Sequence, residues 1–312
     1  MKKQLFFAVL LIIGLAACTS GKKMRMAHVH EDKPFVQDYS IKYLNEDPQA
    51  NLVQVVSDRN GYIQLLSSKG LLRTRAGQFL YPGTLVKDVQ DKPTSDKNIA
   101  SIGTYENQLV YLDDKAVLSN AWAGKLYSRH VMPDAKIFSG GNDFLFLISD
   151  GKKLNLIQDS KLLWEGSLSG DEVRDIKFDK DDNLFWILGK STVSTFSPDN
   201  KKISKILDRD DVTCMEVASG KLFVGTNDGY FEIDLKSKRQ IGEVQRKMPW
   251  TELTVIRNID GKIWFGSTSG AMLLLDDGRF SYYASKRWIP SDTIIDIARG
   301  HENSVLILTN KG

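Results

Sequence analysis

Lys221-Leu222-Phe223-Val224-Gly225-Thr226-Asn227-Asp228-Gly229-Tyr230-Phe231-Glu232-Ile233-Asp234 and Lys262-Ile263-Trp264-Phe265-Gly266-Ser267-Thr268-Ser269-Gly270-Ala271-Met272-Leu273-Leu274-Leu275-Asp276 are two copies of one pattern. Each is an apolar strand, a turn that opens on Gly-Thr or Gly-Ser and closes on Gly, and a second apolar strand. Segments 52–72, 99–112, 136–157, 173–188 and 293–309 follow the same template more loosely. Repeats begin near residues 52, 99, 136, 173, 212, 253 and 293. A period of roughly 37 to 47 residues built from short strands is the spacing of propeller blades. Strand positions are β-branched and aromatic, turns are rich in Gly, Asp, Asn and Ser, and no stretch sustains a 3.6-residue period. These features predict an all-β chain folded as a seven-bladed β-propeller with about 40 residues per blade. A β-helix or sandwich is the other all-β solution, but its rungs or strands would not recur at blade-sized spacing.

A propeller must close its ring, because an open blade exposes sheet edges. The sequence reaches Asn310-Lys311-Gly312 where the third strand of the seventh blade should begin. Segment 35–44 is expected to supply the missing outer strands, and Tyr39-Ser40-Ile41-Lys42-Tyr43-Leu44 has the right alternation. The alternative expectation is that these residues are part of something longer.

The N-terminus sets an expected address. Lys2 and Lys3 precede an apolar run from Leu5 to Leu15 that ends in Ala16-Ala17-Cys18. A positive start, a short apolar region and small residues before a break make a secretory signal peptide over residues 1–17. The run is too short to prefer a transmembrane helix, which needs about 20 apolar residues. Leu15-Ala16-Ala17-Cys18 resembles the bacterial lipobox, which implies cleavage before Cys18 and lipid on that residue. Thr19 and Ser20 follow without an aspartate, which favours the outer membrane over the inner one. Residues 18–37 read as a lipid-anchored tether and residues 38–312 as the propeller.

Charge excludes one partner class. The chain holds 42 basic and 39 acidic residues, and cleavage would remove Lys2 and Lys3. A near-neutral body carries no electrostatic footprint for nucleic acid. With Cys18 lipidated, Cys214 has no disulfide partner, and its apolar strand context reads as a buried small hydrophobe.

Motifs that carry chemistry are sparse. His28-Val29-His30-Glu31-Asp32 lacks a third or fourth fixed ligand, so no metal is assigned, and no cofactor. Gly189-Lys190-Ser191-Thr192 ends like a phosphate-binding loop, but Leu184 stands where the motif needs glycine and the context is strand-turn-strand. His130 and His301 have no Ser or Cys partner in sequence. The pairs Asp113-Asp114, Asp181-Asp182, Asp210-Asp211 and Asp276-Asp277 read as turn caps. No catalytic residue is assigned.

Trp186 and Trp264 lie inside strands and read as wedges between blades. Trp250 and Trp288 instead precede the inner strand of the next blade, and Arg287 adjoins Trp288. Loops leading into inner strands open on one face, around the central channel. Aromatic rings with cationic neighbours there suit stacking on a sugar or gripping a partner segment. The alternative is that both rings plug the groove between blades.

The repeats at 221–234 and 262–276, with the edge Phe280-Ser281-Tyr282-Tyr283 and the next start Asp292-Thr293-Ile294-Ile295-Asp296-Ile297, resemble the two-component regulator propeller family. That resemblance implies a periplasmic sensing module, associated in Bacteroidetes with glycans. Nothing in these residues reads as a second transmembrane helix, a kinase or a DNA-binding part. The expectation is therefore a lipid-anchored, non-enzymatic binding or sensing propeller of the envelope, for a glycan or protein partner. Trp250, Arg287 and Trp288 would form its binding face, and Cys18 its contact with the membrane. The alternatives are the propeller part of a longer polysaccharide-degrading enzyme and a scaffold in envelope assembly.

Overall fold

The structure, a computed structural model, describes residues 43–312 other than 46, 59–60, 76–85, 88–92, 96–98, 107, 114–115, 120–125, 129–131, 286 and 302. Its regular structure is almost wholly antiparallel strand, with one short 3-10 turn at Asn142–Phe144 among the described residues. Seven sheets succeed one another along the chain as blades 1 to 7, at 52–75, 101–128, 137–167, 173–208, 212–245, 253–283 and 294–309. Blades 2 to 6 have four strands each, blade 1 three and blade 7 two. Six sheets thus have three strands or more. A small hairpin, Val86–Lys87 with Pro93–Ser95, lies between blades 1 and 2.

Why the strands are so continuously apolar is clear from blade 4. In Phe185-Trp186-Ile187-Leu188 all four side chains are buried, because successive residues face opposite sides of the sheet. Phe185 and Ile187 join a cluster with Leu147, Leu154 and Leu156 of blade 3. Trp186 and Leu188 join Met215, Leu222 and Val224 of blade 5. A blade with neighbours on both faces needs apolar residues on both, so the usual in-out alternation disappears.

Among the described residues, seven such clusters occur, one at each interface between consecutive blades. The last joins Leu308 of blade 7 to Leu52, Val55 and Leu65 of blade 1, so the ring closes. A polar tie reinforces that seam: the Val55 amide donates to Asp296 Oδ2 at 3.1 Å.

The Ser/Thr-to-Gly turn of the sequence pattern has a definite job. Ser267 Oγ donates to the Gly270 carbonyl at 2.8 Å and accepts from the Ser269 amide at 3.1 Å. Ser67, Thr226 and Thr309 make the same pair of bonds in blades 1, 5 and 7. The hydroxyl supplies what a buried turn would otherwise leave unbonded. Gly270 has φ +141°, a backbone region open to glycine.

Gly312 therefore occupies the turn-glycine position of blade 7. A Cβ at Gly229 or Gly270 would run into the carbonyl of an outer-strand residue, Gln245 or Tyr283; at Gly312 it would run into the Tyr43 carbonyl. The Asn45 amide also donates to the Lys311 carbonyl at 2.9 Å. Tyr43 to Asn45 thus lie where an outer strand ends in blades 5 and 6. The rest of the expected closing segment, 35–42, lies outside the described residues.

Candidate functional site: the central channel

The inner strands of blades 1, 4, 5, 6 and 7 share an irregularity. Pairing with the second strand slips between Leu52 and Gln54, Val173 and Asp175, Val212 and Cys214, Leu253 and Val255, and Ile294 and Asp296. A bulge at the same place in each strand re-aims the residues that follow it. The fourth residue then enters the core between blades: Val55, Ile176, Met215, Ile256 and Ile297 are all buried. Channel-facing places fall to the third and fifth residues of the strand.

In each of blades 4 to 7 at least one of those two places is charged. Asp175 and Lys177, Glu216, Arg257, and Asp296 form a chain of alternating sign along one side of the channel. Lys177 Nζ lies 3.4 Å from Asp175 Oδ2 and 3.5 Å from Glu216 Oε2. Arg257 lies 4.0 Å from Glu216 and 2.7 Å from Asp296 Oδ1. Asp296 is the most enclosed, with its side chain 6% exposed. It is also the best satisfied, accepting from Arg257, the Ile297 amide and the Val55 amide. A buried charge persists only when it is paired and hydrogen-bonded in this way.

Electrostatics follow from the packing. Burial pushes the Glu216 carboxyl above the usual glutamate range, and nearby Lys177 and Arg257 only partly counter it. Burial works against the Arg257 charge, but Asp296, Glu216 and Asp175 more than offset it and hold the guanidinium charged. Cys214, at a third place on the same arc, is buried and its thiol is pushed up to about 12 by desolvation, so it is inert.

Blades 1 to 3 line the opposite side with Gln54, Val56, Ser101, Gly103 and Phe138. Gln54 Oε1 accepts from Ser101 Oγ at 2.9 Å and from the Ile102 amide at 3.0 Å. Bare backbone at Gly103 makes room for the Phe138 ring, which a Cβ there would meet at 3.2 Å. The channel divides into a cavity of about 750 Å³ and a smaller one of about 420 Å³ toward the face where chain leads into the inner strands, here the upper face. Gln54, Ser101, Phe138 and Asp175 line both cavities and so form the waist between them.

The sequence-predicted binding residues sit elsewhere on the upper face. Trp250 is half-buried in the seam between blades 5 and 6, edge-on to Tyr282 at 5.4 Å, and fills the space beside Gly270. Trp288 packs edge-on to Tyr283 at 5.7 Å in the next seam, with the Arg287 guanidinium 4.6 Å above its ring. The structure thus joins Arg287 to Trp288 and leaves Trp250 one seam away. None of the three lines either cavity. Trp186 and Trp264 are buried wedges, as expected. Asp113 and Asp277 cap turns through the Ala116 and Arg279 amides, whereas Asp211 pairs with Arg209.

His301 lies exposed at the lower mouth, its ring against Gly61. Cys18, the tether with His28 and His30, and His130 lie outside the described residues. Among those described, no group of three or more His, Cys, Asp or Glu side chains is placed to hold a metal ion.

Sequence reasoning passed over the charged arc. Its signal was present: Lys177, Glu216 and Arg257 occupy the fifth place of three consecutive inner strands, one blade apart.

No protein-family model matches the chain, and no curated protein matches it by sequence. Solved structures do. The extracellular domain of a hybrid two-component system from B. thetaiotaomicron superposes with TM-score 0.67 at 15% identity, covering 89% of this chain and 39% of that one. Streptogramin B lyase superposes with TM-score 0.68 at 12% identity, covering 90% and 97%. The WD40 domain of Neurospora crassa Pan2 gives 0.62 at 12%, covering 89% of each. This chain spans about two fifths of the B. thetaiotaomicron domain. At such identities the likeness is one of fold, and that fold is a β-propeller like those of two-component regulators.

Proposed function

We propose that this chain is a lipid-anchored recognition propeller of the bacterial envelope, binding a glycan or protein partner without chemical change. The observation that carries the reading is the channel: a closed ring holds fixed polar side chains around about 750 Å³, the size of a ligand site. The upper face combines the channel mouth with Trp250, Arg287 and Trp288, and it is the face offered to the partner. Support for an envelope address comes from the signal-peptide pattern, the lipobox-like Leu15-Ala16-Ala17-Cys18 and the extracellular neighbour from B. thetaiotaomicron. One lipid-bearing cysteine and a polar tether would leave the ring free above an outer membrane.

Fractionation of cells expressing Cys18→Ala, with palmitate labelling, tests the anchor. The variant should fold, lose the label and leave the membrane pellet. Pelleting undiminished in the variant would end the anchored reading.

A second reading, an enzyme, is favoured by one observation: the likeness to streptogramin B lyase spans nearly all of both chains. It predicts turnover of a streptogramin B substrate by the purified chain, and an unchanged substrate in the mass spectrum rules it out.

A further inference from the structure

The waist of the channel holds groups that the fold positions and then leaves uncommitted. Gln54 is the clearest. Because a backbone amide, that of Ile102, donates to one end of its carboxamide, that end must be the oxygen. Ser101 Oγ bonds the same oxygen. The amide orientation is therefore fixed by chemistry, and both Nε2 hydrogens point away from the wall that holds Oε1, without a partner among the described residues.

Across the arc, the nearest contacts of Glu216 with its cations run through Oε2 at 3.5 and 4.0 Å, so its carboxylate retains acceptor capacity. Lys177 touches two carboxylates at 3.4 and 3.5 Å, long for charge-assisted hydrogen bonds, so its ammonium retains donor capacity. Phe138, half-buried and lining both cavities, gives a flat apolar surface in the same place.

Charge balance then narrows the ligand. The arc sets three carboxylates against two cations, and with Lys136, Arg174 and Arg299 beside Asp58 and Glu172 the lining of the two cavities balances at five of each sign. An added anion or cation would upset that balance, a cation by displacing Lys177 or Arg257 from its carboxylates. A neutral ligand leaves it intact. It must accept from Gln54 and Lys177, donate to Glu216, and lay an apolar face on Phe138. Hydroxyl groups both donate and accept, and a ring carrying them equatorially has an apolar face of C–H bonds.

We propose that the larger cavity, where it meets the waist, is a binding site for one neutral, polyhydroxylated ring, a monosaccharide unit or cyclic polyol, held by Gln54 and Phe138 of the waist and by Lys177 and Glu216 just below it. The proposal rests on the recognition reading above and moves its ligand from the tryptophan seams into the channel. The smaller cavity, open toward the upper face, gives such a ring its way in.

The test uses the full chain, titrated by calorimetry with glucose, galactose, mannose, myo-inositol, cellobiose, lactose and maltose. At least one should bind. Phe138→Ala should weaken that binding by on the order of tenfold. Gln54→Glu keeps the oxygen that Ser101 and Ile102 require but removes the Nε2 donors, and should weaken binding to a similar degree. Thermal melts confirm that each variant folds. Binding that survives both variants but is lost in Trp250→Ala or Trp288→Ala overturns the channel site and leaves the recognition reading standing. Binding of none of the seven overturns the neutral-ring ligand, while the protein-partner form of the recognition reading survives. Loss in Phe138→Ala and Gln54→Glu, with Trp250→Ala unchanged, is the supporting result.

Discussion

The two sides of the channel solve the same problem with different materials. Inner strands of blades 4 to 7 meet across the opening through alternating charges, Asp175, Lys177, Glu216, Arg257 and Asp296. Those of blades 1 to 3 meet through one amide-hydroxyl pair, a glycine and a phenyl ring. Both arrangements keep seven sheets in register around an open space. The charged side gains directionality at the cost of desolvation, and it holds only while every member is present. Its neutral counterpart has less to lose from any single change.

The largest effect that separates them is removal of the central cation. Arg257→Met would leave Asp296, almost fully enclosed, without its guanidinium and Glu216 without one of two partners. Orphaning a buried carboxylate should lower stability by about 3 kcal/mol in urea denaturation. Ser101→Ala, which removes one hydroxyl from the neutral side, should lower it by about 1 kcal/mol or less. Equal losses would mean that the arc is as solvated as an ordinary surface, and the contrast would be gone.

A smaller effect comes from filling space. At Gly266, in blade 6, a Cβ would come within 2.5 Å of both Ile294 Cγ2 and Val255 Cγ1, two branched side chains fixed in the seam with blade 7. Gly266→Ala should therefore cost about 2 kcal/mol through overpacking. At Gly103 the nearest atom is the tip of Phe138 at 3.2 Å, beside open channel. There the ring can tilt, so Gly103→Ala should stay below about 1 kcal/mol. It should also weaken any ligand that uses the Phe138 face. Melting curves of the pair would sharpen the comparison, and a Gly103→Ala loss matching that of Gly266→Ala would break it.

Regularity explains what could be read in advance. Blades 5 and 6 announce themselves because Thr226 and Ser267, each followed three residues on by glycine, bond their own turns. That local requirement writes itself into local sequence. The second strand of every blade was likewise visible as an apolar run, since a blade has neighbours on both faces. The site was not, because its parts are assembled across the ring. Gln54 faces Asp175 only after four blades have turned, and no short window holds both. Trp250 and Trp288 drew notice as aromatics beside cations, yet sequence alone does not say that Tyr282 and Tyr283 wait to pack them. Charged residues inside strands were the overlooked clue. Lys177, Glu216 and Arg257 become conspicuous only when the inner strands are laid over one another from the bulge onward.

The smallest effect is a matter of slope. An unfolded glutamate titrates near about 4.3, whereas burial holds the Glu216 proton to higher pH in the folded ring. Between those two values the folded chain binds more protons than the unfolded one, so stability falls as pH rises through the window. Below it the group contributes no penalty; above it the penalty is constant. Asp211, held low by the hydrogen-bonded Arg209 guanidinium, acts in the opposite sense and loses its contribution as pH falls. The whole-protein profile mixes the two signs, so the informative quantity is the difference between wild type and Glu216→Gln. That variant removes the proton while keeping the shape, and its constant offset from weakened pairing does not alter the slope. The difference curve should decline with rising pH through the window and then level. Ser101→Ala, on the neutral side, should track the wild-type profile in parallel throughout. A flat Glu216→Gln difference curve would place Glu216 in water-like surroundings, and the charged side of the channel would then be no less open to solvent than the side it faces.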